Sequence, residues 1–377
     1  MNISSKDGIL GLAIADAMGV PVEFINREAL RFKPVTDMTG HGTYNQPAGS
    51  FSDDTSLLLA TMDGIIRNGG IINDEAYYNI ADNFASYLSL GSFTPRQQKF
   101  DVGNTTAAAI HSYMSGTKPW LAGGNTKYNK GNGALMRILP LAYYAEQNNL
   151  SDEETLEYVS KIASITHRLP HCVLGSYIYV NFARRLLQGY SKEKAYEDIP
   201  SHDYSSFDQE TLDEYSRILK GKIYEAQEDD ISSKGVTVDT LEAALWSFMR
   251  NDSYETSVLQ AINLGDDTDT VGCVTGGLAG IYYGLKSINP KWLNKLLRKD
   301  YIEDLCDLYD KTIKTRTVPE GQGRLLSETL ITHDNNHKLR LVKDVLLEKY
   351  LQEQQYRKPS NLSNKTFRKS THELDEK

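Results

Sequence analysis

The chain has few cysteines and no pattern among them. Cys172, Cys273 and Cys306 are the only three, with no Cys-x-x-Cys pair. That excludes a disulfide scaffold and a zinc ribbon, and it fits a reducing cytoplasm. Long hydrophobic runs are also missing: no stretch approaches the ~20 apolar residues that span a bilayer, so no membrane association is expected. Lys6, with Asp16 inside the first apolar run, makes a poor secretion signal. Positive charge is in deficit. The 377 residues carry 41 Lys+Arg against 50 Asp+Glu, a formal net charge of −9. Broad nucleic-acid binding, which needs many basic groups on phosphates, is therefore not expected. Strict period-two alternation is rare, which argues against a sheet. Nor does the chain contain a GxSxG elbow, an HExxH pair, a Walker P-loop or a Rossmann glycine fingerprint in its required context.

What is present is helical. Hydrophobic residues make up 40% and charged residues 24%, near the soluble-globular average, with length enough for a large core. The spacing predicts a helix from Asp54 to Ile66 that stops at Asn68-Gly69-Gly70. Asn73 caps a helix whose apolar face is Tyr77, Ile80, Phe84 and Leu88. Ser151-x-x-Glu154 is a capping-box pattern, and Val173–Gln188 ends at Gly189. Leu241, Ala244, Leu245 and Phe248 carry a further helical face. Glu197–Asp230 reads as an acidic surface insertion or long helical hairpin.

Gly272, Gly276, Gly280 and Gly284 recur every fourth residue, along one side of a helix; Gly11, Ala15 and Gly19 do the same near the N-terminus. Each glycine costs a helix about 1 kcal/mol against alanine, so the register implies two backbones packed very closely. Residues 1–314 are expected to form one domain. Residues 315–377 carry a net charge of +3 and form an extension, part helical over Lys338–Gln355 through Leu339, Val342, Leu346 and Tyr350, and disordered from Arg357.

Two acidic clusters stand out. Ser52-Asp53-Asp54-Thr55 opens one predicted helix, and Asp266-Asp267-Thr268-Asp269-Thr270 opens the glycine-striped one. Each alone reads as helix capping. Three aspartates in four positions, however, add repulsion that capping does not need. Bringing the two clusters together is costly unless cations neutralise them. Oxygen-only ligands suit Mg²⁺ or Mn²⁺ rather than zinc, and two facing clusters suit two metals sharing a carboxylate. Gly131-Asn132-Gly133 can present backbone N–H groups to a phosphate, though such a segment is more often a turn. On their own, His167 reads as a structural or surface histidine and Glu23 as a surface acid.

Taken in order, the segments GILGLAIADAMGVPVEF, MTGHGTYNQPAGSFSDDTSLLLA, DVGNTTAAA, GNGALMRILPLA, Thr166-His167, VDTLEAALWSFM and AINLGDDTDTVGCVTGGLAGIYYG resemble the ADP-ribosylglycohydrolase family, of the dinitrogen-reductase-activating type. The resemblance covers roughly residues 1–310. It implies an all-α orthogonal bundle with two Mg²⁺ or Mn²⁺ ions in a central cleft. It places Ser52, Asp53 and Asp54 on one metal-ligand motif and Asp267, Asp269 and Thr270 on the other. Asp266 stands where many relatives have glycine and is not counted as a ligand. Glu23, Asp101 and Asp54 fall on catalytic positions, and Asn104, Gly131, Asn132, Gly133 and His167 on the ADP-ribose site. The implied reaction is hydrolysis at the anomeric carbon of an ADP-ribosylated protein or small molecule by a cytoplasmic monomer. The alternatives are a catalytically inactive ADP-ribose-binding protein on the same fold and a Mg²⁺-dependent phosphohydrolase. One departure concerns distal recognition: Lys234-Gly235-Val236 stands where relatives often have a Ser-Gly-Tyr type segment, and Val236 supplies no aromatic ring for the adenosine.

Overall fold

The computed structural model describes residues 4–317, 327–329, 331–333 and 336–341. Among the described residues, ten helices of nine or more residues carry the fold: α1 (Lys6–Gly19), α2 (Asp53–Arg67), α3 (Asp74–Leu90), α4 (Asn104–Met114), α5 (Asp152–Ala163), α6 (Pro170–Leu187), α7 (Thr237–Met249), α8 (Tyr254–Ile262), α9 (Thr268–Tyr283) and α10 (Lys299–Thr315). Short helical turns connect them into an all-α bundle around one contiguous apolar core that runs from Ile9 to Ile331.

Helices α1 and α9 form the axis. Every residue from Gly8 to Gly19 is buried, as is every residue from Thr268 to Gly280, as expected of helices apolar on all sides. The glycine register is their contact. A Cβ on Gly11 would lie 2.6 Å from the Gly276 carbonyl oxygen; one on Gly276 would lie 2.5 Å from the Ala15 Cβ; one on Gly280 would lie 2.3 Å from the Asp7 carbonyl oxygen. No side chain fits at such distances, so the helix-propensity cost is offset by close backbone packing. Gly284 does not belong to the stripe. It has a φ of +76° and open space around it, and it ends α9 in a conformation glycine adopts freely.

Elsewhere the caps do what their residue types dictate. The Ser52 hydroxyl accepts the Asp54 N–H at 3.2 Å, and the Asn73 side chain accepts the Ala76 N–H at 3.2 Å. The capping box ahead of α5 is complete: Ser151 Oγ accepts the Glu154 N–H at 3.2 Å, and Glu154 Oε2 accepts the Ser151 N–H at 2.8 Å.

Two expectations need correction. Glu197–Asp230 is not a long hairpin but a run of short turns and helices such as Gln209–Glu214 and Ser216–Leu219. Tyr215, Ile218 and Ile223 are buried, and the Tyr215 hydroxyl donates to the His171 carbonyl at 2.8 Å. Apolar anchors at irregular spacing hold this segment to the core, so no single helical face develops. The second correction is a small sheet. Strand β1 (Ile331–His333) pairs antiparallel with β2 (Leu339–Leu341), His333 opposite Leu339 and Ile331 opposite Leu341. The expected Lys338–Gln355 helix is thus strand at its start, where pairing with β1 and packing of Leu339 on the core override the helical spacing. Its remainder, and the segment from Arg357, lie outside the described residues. The hairpin docks on α3, with His333 Nδ1 2.8 Å from Asp82 Oδ2 and the His337 ring stacked on Tyr78 at 4.2 Å between centroids.

The α1–α9 contact predicts an inverted glycine effect. Glycine to alanine ordinarily stabilises a helix by about 1 kcal/mol. Gly276→Ala is expected instead to destabilise the protein by about 2 kcal/mol, within the range for overpacking, read as a lower urea midpoint at unchanged m-value. An unchanged or raised midpoint would show that the two backbones can separate without cost.

Candidate functional site

The α1–α9 contact ends where two helix N-termini converge. Asp53 and Asp54 open α2, Asp267 precedes α9, and Asp269 and Thr270 lie in its first turn. Gly19 makes the approach possible, since a Cβ there would lie 2.3 Å from the Asp269 Cα. Between the helices stands Asp16, fully buried on α1. Its Oδ1 accepts the Ser52 N–H at 2.9 Å, and its Oδ2 accepts the Thr55 N–H at 3.1 Å and the Thr55 hydroxyl at 2.6 Å. Asp16 therefore fixes the first turn of α2. The motif reading missed it, although an aspartate in the middle of an apolar helix was the available signal.

One carboxylate oxygen from each of Asp16, Asp54 and Asp269 falls within 4.8 Å of the others, and the same holds for Glu23, Asp101 and Asp269. Two three-carboxylate groups thus share Asp269. All of these but Asp16 lie on a cavity of about 560 Å³ whose lining carries seven carboxylates, from Glu23, Asp53, Asp54, Asp101, Asp266, Asp267 and Asp269. Thr270 also lines it, its hydroxyl 3.4 Å from Asp54 Oδ1. Ser52 caps α2 and stands behind the lining.

Burial is the first cause of every carboxylate shift here, because a low-dielectric site disfavours the charged form. It pushes Glu23 up to about 8, with repulsion from Asp101 next, and Asp16 up to about 6. Asp53, Asp54 and Asp269 are raised well above the usual carboxylate range, by burial and then by their acidic neighbours. Asp101 and Asp267 are raised by burial as well. Glu23 is therefore not the surface acid it resembles in isolation. Buried Asp54 Oδ2 and Glu23 Oε2 accept no hydrogen bond from the described residues, and such an oxygen costs about 1–3 kcal/mol or more. Divalent cations answer both the missing donors and the repulsion. An all-oxygen donor set fits Mg²⁺ or Mn²⁺.

The opposite wall is built on the Gly131–Gly133 turn. Asn132 Nδ2 donates to Asp267 Oδ2 at 2.7 Å and to Thr240 Oγ1 at 2.8 Å, so Asn132 orients an acid as well as facing the cavity. A Cβ on Gly133 would lie 2.7 Å from His167 Cε1, and glycine admits that ring to the wall. His167 is buried rather than superficial, its Nδ1 3.0 Å from Thr166 Oγ1. Burial, and then the positive charge of Arg137, push its pKa down to about 3; the ring is neutral. Asn104 opens α4 at the exposed rim.

Two further residues escaped the motif reading. Tyr44 stands beside both Glu23 and Asp101, and its hydroxyl opposes part of the upward shift that burial imposes on each. Phe24 lines the cavity while 69% exposed. Its N–H donates to the Asp266 carbonyl at 2.7 Å, and the Asp266 N–H donates back to the Ile25 carbonyl at 2.9 Å. Both Phe24 and Asp266 have left-handed backbones, at φ +65° and +58°. Asp266 stands at this rim and in neither three-carboxylate group.

The Glu23 shift fixes a pH dependence. In metal-free protein Glu23 keeps its proton up to about 8, whereas the unfolded chain releases it near 4.5. Between those values the folded state binds more protons than the unfolded state, so stability falls as pH rises through that window. Mg²⁺ or Mn²⁺ is expected to flatten this fall and to raise the melting temperature most at the alkaline end. Thermal melts across that window with and without metal measure it; a metal effect independent of pH would count against cations among these carboxylates.

The comparisons with known proteins agree with this geometry. The family model described as ADP-ribosylglycohydrolase matches residues 5–318. The chain is 31% identical to the ADP-ribosylarginine hydrolase Tri1 of Serratia proteamaculans (strain 568), over 80% of this chain and 78% of that protein. It is 30% identical to the ADP-ribosyl-(dinitrogen reductase) glycohydrolase of Rhodospirillum rubrum, over 76% of this chain and 88% of that one. A solved structure described as an ADP-ribosylglycohydrolase-related protein complex superposes with a TM-score of 0.68 at 29% identity, covering 83% of this chain and 97% of that chain. The all-α bundle is the fold of that group, and the chain belongs to the ADP-ribosylglycohydrolase family, hydrolases of ADP-ribosylated substrates.

Proposed function

We propose that this protein removes ADP-ribose from ADP-ribosylated arginine side chains of proteins, in a reducing cytoplasm, as a two-metal N-glycosyl hydrolase. The observation that carries the reading is the pair of three-carboxylate groups sharing Asp269, which itself lines the cavity. Arginine is the preferred acceptor because Tri1 of Serratia proteamaculans and Tri1 of Pseudomonas putida are ADP-ribosylarginine hydrolases. The cavity mouth supports it too, since Phe24 and Asp266 offer an exposed ring and a carboxylate to a guanidinium group. The likeness to the dinitrogen-reductase-activating type is then one of reaction, release of ADP-ribose from a modified protein.

In this reading Ser52, Asp53, Asp54, Asp267, Asp269 and Thr270 hold the two cations, Ser52 through the lone pair its capping bond leaves free. When bound, the cations supply Lewis-acid charge for the ribose hydroxyls and a water. Asp16 acts by positioning, since its hydrogen bonds set the first turn of α2. The C1–N bond of the ribosyl arginine breaks, water contributes hydroxyl to C1, and its proton ends on the arginine nitrogen. Positive charge grows on the ribose as the bond lengthens, and Asp54 and the other carboxylates stabilise it. Glu23 and Asp101, with Tyr44 beside both, move the proton. Asn104, Gly131, Asn132 and Gly133 line the ADP-ribose. Neutral His167 packs beside it without taking part in proton transfer.

Asp269→Ala is expected to lower Mg²⁺- or Mn²⁺-dependent release of ADP-ribose from an arginine-linked peptide by about 10³-fold or more, with the helical circular dichroism retained. Asp16→Asn should cost about 10–100-fold, the usual range for a residue that orients a ligand. Free ADP-ribose is the product to measure, against a serine-linked peptide as comparison. Release of inorganic phosphate instead, or full activity in Asp269→Ala, would overturn the reading.

A further inference from the structure

The cleft is short of positive charge for the ligand it is read to bind. Seven carboxylates line it, and two divalent cations offset four of those charges. A diphosphate brings about two further negative charges at neutral pH. Among the described residues Lys234 is the one basic side chain on the lining. Lys130, Arg137 and Arg27 lie near the cleft but not on its lining, and each donates to other groups. Lys130 Nζ sits 2.7 Å from both Glu214 carboxylate oxygens. Buried Arg137 donates to the Ile162 carbonyl at 3.1 Å and to Thr166 Oγ1 at 2.7 Å. Arg27 donates to the Leu264, Glu228 and Ile231 carbonyls.

We propose that Lys234 is the diphosphate-binding residue of this cleft, an inference that rests on the ADP-ribosyl reading above. Its backbone is built for a fixed place. The Asp267 N–H donates to the Ser233 carbonyl at 3.0 Å, the Asn132 N–H to the Gly235 carbonyl at 3.3 Å, and the Val236 N–H to the Lys234 carbonyl at 2.7 Å. A Cβ on Gly235 would lie 2.9 Å from Asp267 Oδ2, so this segment rests directly against a carboxylate of the cluster. It also pairs with the Gly131 turn through a bridge between Gly131 and Val236. The lysine therefore stands between the acidic floor and the glycine wall, where a chain of ribose, diphosphate and nucleoside must pass. Its side chain is exposed and forms no ion pair with the described residues. An ammonium on a flexible stem suits a diphosphate, which presents charge in several directions.

The test measures ADP-ribose and adenosine binding by calorimetry on the full chain with Mg²⁺, together with peptide hydrolysis. Lys234→Ala is expected to weaken ADP-ribose binding about tenfold to a hundredfold, as for a lost hydrogen bond to a charged group. KM for the arginine-linked peptide should rise by a similar factor with kcat nearly constant. Lys234→Arg should restore affinity to within about threefold, adenosine binding should not change, and the Mn²⁺-induced rise in melting temperature should be the same in all forms. If Lys234→Ala binds ADP-ribose as tightly as the wild type, which itself cleaves the peptide, the inference falls and the hydrolase reading stands. If the wild type neither binds ADP-ribose nor cleaves the peptide, both fall.

Discussion

The site depends on how closely α1 and α9 approach. Side chains ordinarily hold helix axes 8–10 Å apart. Here glycine and alanine remove them, and the backbones touch along Gly11, Ala15, Gly276 and Gly280. The same approach at Gly19 brings the Asp269 backbone against the end of α1. Asp16 is then near enough to bond the first turn of α2 and to share a neighbourhood with Asp54 and Asp269. Three chain segments far apart in sequence deliver carboxylates to one place because two helices have almost nothing between them.

That convergence is unfavourable on its own terms. Burial and mutual repulsion push the carboxylate pKa values up, and two buried oxygens lack donors among the described residues. A sequence selected only for stability would place apolar residues here. The fold instead tolerates local conflict at one end of its best-packed contact, which is where functional sites are expected to break the rules that hold elsewhere. The dry contact supplies the rigidity that a cluster of like charges needs if it is to wait for cations rather than spread apart.

Much of this was legible in the sequence. Ser151-x-x-Glu154 became a capping box because both partners are local. The glycine register announced a close helix pair, since period and propensity cost are both visible in one segment. Gly284 was misassigned because a chain terminator and a packing glycine look alike until φ is known. Asp16, Tyr44 and Phe24 were invisible as a group: each is set by tertiary placement, and no spacing rule joins residue 16 to 54 or 44 to 101. Glu23 read on its own as a surface acid, and His167 as either structural or superficial, for the same reason: burial is a property of the assembled bundle. The β1–β2 hairpin was hidden by a leucine spacing that satisfies a helix and a short strand equally well.

The segment leading into that hairpin, and the hairpin itself, meet buried acids of the bundle. Ser327 and Thr329 donate to Asp63 Oδ2 at 3.0 and 3.3 Å, Glu328 pairs with Arg298, and His333 meets Asp82. Asp63 and Asp82 are buried acids of α2 and α3. Their solvation is thus completed by residues that follow the segment matched by the family model, which ends at residue 318. A boundary drawn from motif content would leave those acids short of donors. Buried acids of the helical bundle thus have hydrogen-bond partners on both sides of the last residue that the family model matches.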